Sequence, residues 1–335
     1  MNRLAALRQL PWLYPVLSCA ILFLLIVLLS PVFRTGIFTA NIAAASFLAL
    51  VGIGQMFPIA SGDGGVDLSI PFIMNFCALL AVKLVGPDFA SVFLALGLAV
   101  LFGIAVGFAN GIVVVRFRIP PIIGTLAVGY IVLTLVQLLA ATAATRFAAR
   151  SFTEFMRGSF LGLPTAFFFV LFVGGLAAVV IQRTAYGRAL LAVGQSRKAA
   201  HFSGINVSRT VLFAYVVSGA LAGLTGVLLA ASVGSADLEL GNPYLLASVG
   251  AVVLGGNRIA GGTATVIGTI AGALLLTLLV AAVTVAGMPL EFQNIARGAV
   301  ITLVLVVANA PENIRRRALG RWRKPRSITD VQGTR

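Results

Sequence analysis

Long apolar runs alternate with short basic or glycine-rich connectors along almost the whole chain. Most of the runs have the length a helix needs to cross about 30 Å of hydrocarbon, and their composition is that of lipid-facing helices. The first covers residues 9–33, between Arg8 and Arg34. It is longer than the apolar part of a secretory signal, and no small-residue cleavage site follows it. It therefore predicts a retained membrane helix. The same reasoning predicts helices over residues 38–60, 68–82, 89–115, 119–145, 160–182, 210–236, 244–254, 262–286 and 292–310. The expected fold is an all-α polytopic membrane protein of about ten transmembrane helices.

Two of these helices, the third (68–82) and the eighth (244–254), are too short to cross a bilayer comfortably. Ser61-Gly62-Asp63-Gly64-Gly65-Val66-Asp67 precedes the third, and Gly255-Gly256-Asn257-Arg258-Ile259-Ala260-Gly261-Gly262 follows the eighth. Short, glycine-interrupted segments at matching places in two halves point to a solute path built from broken helices. Ordinary tight turns at one membrane face would give the same pattern.

Composition agrees with the pattern. Only 10% of the 335 residues are charged and 60% are hydrophobic, whereas a soluble domain carries about a quarter charged residues. The net charge of +15 does not indicate nucleic-acid binding, because the basic residues sit in short clusters between apolar runs and no polar domain carries them. With the N-terminus placed in the cytoplasm, 18 of the 24 Lys and Arg residues fall on the cytoplasmic side, so both termini are expected there. The predicted organisation is a transmembrane domain over residues 1–311, containing a cytoplasmic loop at 183–209, and a basic cytoplasmic tail at 312–335. Clustered charge in that tail suits anionic membrane lipid, at about 1 kcal/mol per residue near the surface.

Candidate chemistry is sparse. Cys19 and Cys77 lie inside apolar runs, and His201 stands alone in a basic loop, so no metal site or nucleophile is expected. There is no GxxxxGK[ST] run, so this chain does not hydrolyse ATP through a P-loop. No cofactor is implied, and an intramembrane enzyme would lack a catalytic constellation. Asp63, Asp67 and Ser69 before the third helix, Asn75 within it and Asn257 after the eighth are candidates to line or gate a solute path. Capping of the third helix, with Pro71 in its first turn, explains Asp67 and Ser69 as well. Amides within the runs, such as Gln55, Asn75, Asn110 and Gln137, can orient solute hydroxyls or join helices, and Gln293 and Asn294 in the tenth run can do the same.

From the Gly64-Gly65-Val66-Asp67-Leu68-Ser69 run onward the sequence resembles the ribose-type ABC transporter permease family, which also includes branched-chain amino-acid permeases. Similar segments follow in order: Ile119-Pro120-Pro121-Ile122-Ile123-Gly124-Thr125-Leu126, Thr184-Ala185-Tyr186-Gly187-Arg188, Ser218-Gly219-Ala220-Leu221-Ala222-Gly223-Leu224-Thr225-Gly226, and Val252-Val253-Leu254-Gly255-Gly256. Departures occur at Ile70-Pro71, at Tyr244-Leu245-Leu246-Ala247 and at Gln195-Ser196-Arg197-Lys198. The resemblance implies the permease subunit of an importer for a small polar solute, most naturally a monosaccharide, in the bacterial inner membrane. It implies separate ATP-binding-cassette subunits, a second permease copy (identical or not) and a periplasmic solute-binding protein. It also implies that loop 183–209 couples to the ATPase through a short helix containing Arg188, Ala199 and Ala200. Gly187, Gly194 and Gly204 are expected to start, break and end that helix. Small-residue faces at Gly219, Gly223 and Gly226, and at Gly268 and Gly272, are expected to pack helices closely and are candidates for the surface between permease copies. The rival reading is a secondary transporter driven by an ion gradient. It would call for charged residues inside the helices, for which Arg297 is the main candidate.

Overall fold

The computed structural model describes residues 13–29, 35–86, 88–141 and 150–289, together with the single positions 292, 295, 298, 299 and 302. The predicted tenth helix, Gln293, Asn294, Arg297 and the basic tail lie outside the described residues apart from those single positions. Among the described residues the chain is helical, with one two-residue hairpin. Helices α1 (Leu13–Leu29), α2 (Thr35–Ala60), α3 (Ile70–Leu84), α4 (Phe89–Val115) and α5 (Pro121–Ala140) come first. After α6 (Arg150–Arg157), β1 (Ser159–Phe160) and β2 (Leu163–Pro164) come α7 (Thr165–Arg183), α8 (Ala185–Gln195) and α9 (Arg197–Phe202). Helices α10 (Val207–Val233), α11 (Tyr244–Leu254) and α12 (Val266–Val285) complete the described set.

Local chemistry sets the helix boundaries. Asp88 starts α4 by accepting a hydrogen bond from the Ser91 amide at 3.3 Å, and Asn206 starts α10 by accepting from the Arg209 amide at 3.0 Å. Gly234 ends α10 in the left-handed conformation, at φ 83°. These signals shift the predicted 210–236 helix to Val207–Val233. Helix α7 begins at Thr165, later than the predicted residue 160, because residues 159–164 turn back on themselves as β1 and β2. Hydropathy alone cannot see a hairpin made of Phe, Leu and Pro.

Six helices among the described residues are long and apolar enough to cross a membrane: α2 from Phe38, α4, α5, α7, α10 and α12. Helices α1, α3 and α11, of 17, 15 and 11 residues, are shorter. Helix α2 is the most buried of the six and packs against α7, α10, α11 and α12. The longest contact joins α4 to α10, where Gly103 and Gly107 face Gly219 so closely that their backbones touch. Helices α4 and α5 turn Phe93, Leu101, Ile131 and Leu138 outward. A large apolar surface of this kind is stable only against lipid or another apolar surface. The chain is a multi-pass membrane protein.

The small-residue faces are spent inside the chain. Gly219 meets Gly103, Gly223 meets Ala99 and Gly226 meets Met74, while Gly268 meets Gly255 and Gly272 meets Ala251. This corrects the expectation that they supply a surface between permease copies. Backbones that already touch within one chain leave no room there for a second chain.

Candidate functional site

The connection between α2 and α3 surfaces at Asp63 and then turns inward. Val66, Asp67, Leu68 and Ser69 are buried, with Asp67 wholly inaccessible. Its Oδ1 accepts hydrogen bonds from the Ser69 amide (3.0 Å), the Ser69 hydroxyl (2.6 Å) and Asn110 Nδ2 (3.2 Å). Its Oδ2 accepts from the Ser218 hydroxyl at 2.7 Å. Nearby, Gln55 Oε1 accepts from the Asp67 amide and Thr125 Oγ1 from the Leu68 amide. No ion pair among the described residues reaches this carboxylate. A buried carboxyl group is tolerated where its oxygens are supplied with hydrogen-bond partners, and four donors do so here.

This arrangement differs from capping. Ser69 occupies the N-cap position of α3, but its side chain makes no capping bond, and the Asp67 carboxylate bonds the Ser69 amide, which precedes the helix. Asp67 joins the start of α3 to α4 through Asn110 and to α10 through Ser218. Around it, three buried polar atoms have no partner among the described residues: Gln55 Nε2, Asn110 Oδ1 and Tyr215 Oη.

The other candidates for the path stand elsewhere. Asp63, four residues before Asp67, adopts φ 51° and is largely exposed, with its carboxylate 2.9 Å from Arg197 Nε on α9. Asn75 on α3 donates to the Leu238 carbonyl (2.7 Å) and accepts from the Gly241 amide (2.6 Å), pinning the connection between α10 and α11. Asn257 donates to the Val252 carbonyl (2.8 Å) and the Thr269 hydroxyl (3.0 Å), and accepts from the Thr265 amide (2.7 Å). It therefore holds the turn between α11 and α12. The structure bonds Asp67 to Ser69, whereas Asp63, Asn75 and Asn257 find their partners on other residues.

A cavity of about 650 Å³ opens between α2, α10, α11 and α12, lined by Asn41, Leu229, Tyr244, Leu276, Thr277 and Thr284 among others. It lies toward the end of these helices opposite loop 183–209. None of the five path candidates lines it. The sequence signal for it was weak. Thr277 and Thr284 each return their hydroxyl to the carbonyl four residues back, so a polar stripe hides inside an apolar run. A smaller cleft of about 350 Å³ at the other end is lined by Asp63, Arg118, Arg197 and Ser208.

Loop 183–209 forms two short helices, α8 and α9. Thr184 begins α8 by accepting from the Gly187 amide at 3.1 Å, and Ser196 begins α9 by accepting from the Ala199 amide at 3.2 Å. The break is at Ser196, and this corrects its expected position at Gly194, which lies within α8. A side chain on Gly194 would overlap the Ala60 carbonyl oxygen and the Gly262 amide, so this glycine serves close approach. Gly187 likewise lies against the carbonyls of Val180 and Ile181. Gly204 ends α9 at φ 79°, as expected. Ala200 is buried with Val114, Val193, Val211 and Tyr215, whereas Arg188, Lys198, Ala199 and Phe202 face outward. Tyr186 donates to the Thr210 carbonyl at 3.3 Å, and burial pushes its phenol above the ordinary tyrosine range.

Residues 36–305 match the family described as the permease component of the branched-chain amino acid transport system. The ribose import permease protein of Escherichia coli K12 is 30% identical over 307 residues, covering 89% of this chain and 94% of that protein. The L-arabinose ABC transporter permease protein of Azospirillum brasilense is 29% identical over 273 residues, covering 82% and 80%. The autoinducer 2 import system permease protein of Salmonella paratyphi B is 30% identical over 268 residues, covering 78% and 79%. No solved structure matches the chain.

Proposed function

This chain belongs to the family of branched-chain amino acid transport system permease components, and from that premise we propose that it is the membrane-spanning subunit of an ATP-binding-cassette importer for a monosaccharide or a closely related small polar solute. The observation that carries the reading is the similarity to the ribose import permease protein over 94% of that protein's length. The membrane is the bacterial inner membrane, and both termini lie in the cytoplasm. The chain works with a second permease copy, a periplasmic binding protein and separate ATPase subunits.

The structure supports this division of labour. Helices α8 and α9 form a compact projecting element whose inner side is buried and whose outer side presents Arg188, Lys198 and Phe202. An element fixed on one side and open on the other can enter a groove on an ATPase and transmit its closure. The cavity near Asn41, Tyr244, Thr277 and Thr284 is the outer part of the path, and with Tyr244 and three further polar side chains it suits a solute with hydroxyls and an apolar face. Asp67, Ser69, Asn75 and Asn257 act on the path by fixing the helices around it, and Asp63 acts at its cytoplasmic end.

The test is ATP hydrolysis by the reconstituted complex, with binding protein and a panel of pentoses, hexoses and related solutes. Stimulation by one loaded binding protein supports the reading and identifies the solute. Uptake that needs no ATPase and collapses with the proton gradient overturns it in favour of a secondary transporter.

A further inference from the structure

The two glycine-rich turns that stand apart in the sequence meet at a third segment. The Gly262 amide, between α11 and α12, donates to the Ala60 carbonyl at the end of α2 at 3.0 Å. Gly194 of α8 lies against both partners, and Gly261 lies against Gly62 and the Gly194 carbonyl. Four glycines from three parts of the chain thus make backbone-to-backbone contact at one point. Gly62, Gly261 and Gly262 have positive φ (80°, 90° and 76°), so a side chain at any of them is opposed by conformation as well as by space.

Each arm of this junction is stiff. The 255–265 turn is tied internally by Asn257 to Val252, Thr265 and Thr269, and by the Arg258 amide to the Thr263 hydroxyl at 2.9 Å. The 61–69 connection is held by Asp67 in the bundle. Beside the junction, Arg197 of α9 reaches Asp63 at 2.9 Å. An element touching only one turn would pass on a motion to one short helix. Here α8 touches both the turn leading into α3 and the turn leaving α11.

We propose that the turn before α3, the coupling helices α8 and α9, which share a buried cluster through Val193 and Ala200, and the turn after α11 move as one rigid body, and that Gly194 is the positioning residue that keeps both short helices registered to the coupling element. A displacement of α8 and α9 by a docked ATPase then acts on both helices together. This rests on the importer reading given above. It goes further by stating which contacts carry the stroke.

Two measurements on the full complex in proteoliposomes test it. The first joins Asp63→Cys to Arg197→Cys with a short bis(methanethiosulfonate) cross-linker, which attaches through reducible disulfides, in a background where Cys19 and Cys77 are alanine. A rigid junction predicts ATP-driven uptake within twofold of the unlinked sample. A tenfold or greater loss on linking that returns on reduction overturns the proposal. The second compares solute imported per ATP hydrolysed in Gly194→Ala and in Gly175→Ala, whose added methyl meets nothing within 4 Å. The ratio is expected to fall at least tenfold in Gly194→Ala and to hold in Gly175→Ala. A role limited to folding would lower the amount of complex and leave the ratio alone, so an unchanged ratio in Gly194→Ala overturns the proposal. If that variant does not assemble, the cross-link decides. Absence of ATP-driven uptake in the unaltered complex overturns the importer reading and this proposal with it, whereas an active unaltered complex with a blocking cross-link overturns the rigid junction alone.

Discussion

The Ser218 hydroxyl donates to the Asp67 carboxylate at 2.7 Å, joining two residues 151 apart in the sequence. Through this bond and the one from Asn110, the connection before α3 is fastened to α4 and α10 at once. Asp67→Ala leaves these neutral donors without their acceptor in a buried site, a loss of about 3 kcal/mol. Asp67→Asn keeps the shape and one acceptor, and the Ser218 hydroxyl can turn to accept from the new amide, so about 1 kcal/mol is lost. Asp63→Ala removes an ion pair between an exposed carboxylate and a half-buried guanidinium, worth about 0.5–1 kcal/mol. Thermal unfolding in detergent should rank the three variants in that order. An Asp67→Ala protein that melts with the wild type would show that the network contributes nothing.

The contact between α4 and α10 predicts opposite outcomes for two glycines in one helix. A methyl on Gly103 overlaps the Gly219 carbonyl, whereas a methyl on Gly97 meets nothing within 4 Å. Gly103→Ala must push the helices apart and is expected to cost about 1–3 kcal/mol. Gly97→Ala is expected to stabilise by about 0.5–1 kcal/mol, because alanine loses less backbone freedom in a helix. Unfolding midpoints of the two variants relative to wild type should have opposite signs.

Asn75 tests whether the connection between α10 and α11 depends on α3. Asn75→Ala removes the donor to Leu238 and the acceptor of the Gly241 amide, with an expected loss of about 2–3 kcal/mol. Asn75→Asp still accepts from Gly241 but sets a carboxylate oxygen against the Leu238 carbonyl, so it should be no better than alanine. Limited proteolysis within residues 234–243 should speed up in both variants. Cleavage at the wild-type rate in both would refute the dependence.

Much of this architecture can be read from the sequence because lipid imposes it. A run such as 89–115 stops at charged residues, Asp88 and Arg116, and both of its ends agree with α4; both ends of run 244–254 agree with α11 as well, where the glycines after Leu254 stop the helix inside the protein. Boundaries set by local hydrogen bonding, such as Asn206 before α10, are harder to see, since one asparagine in a polar loop resembles another. Asp67 stands out in the sequence as a carboxylate near a membrane helix and Asn110 as an amide inside one, but their pairing with each other and with Ser218 does not, because nothing in one sequence says which helices touch. Gly194 was visible as a glycine, and its reading as a break was wrong because the fold uses it for backbone contact inside a helix. The cavity near Thr277 and Thr284 was hidden for a related reason, since threonines that satisfy themselves on their own helix look like ordinary apolar sequence.

Asn257 offers a last prediction that links the turn after α11 to the junction at Gly194. Its amide donates to Val252 and Thr269 while its oxygen accepts from the Thr265 amide, so one side chain spans the turn from α11 to α12. Asn257→Ala leaves the half-buried Thr265 amide without its acceptor and removes one donor from the Val252 carbonyl, which keeps the backbone amide of residue 257, and about 2 kcal/mol of local stability should be lost. Asn257→Asp keeps the bond from Thr265 but places an oxygen where the Val252 carbonyl needs a donor, so the isosteric change should be as harmful as the truncation. Because Gly262 in the same turn donates to Ala60 beside Gly194, loosening should spread to the end of α2 and to α8. Hydrogen exchange is the measurement. Faster exchange is expected over residues 255–265 and at the end of α8 in both variants, with residues 165–175 unchanged. Faster exchange confined to 255–265 would mean that the turn loosens alone and that the contact at Gly194 transmits nothing.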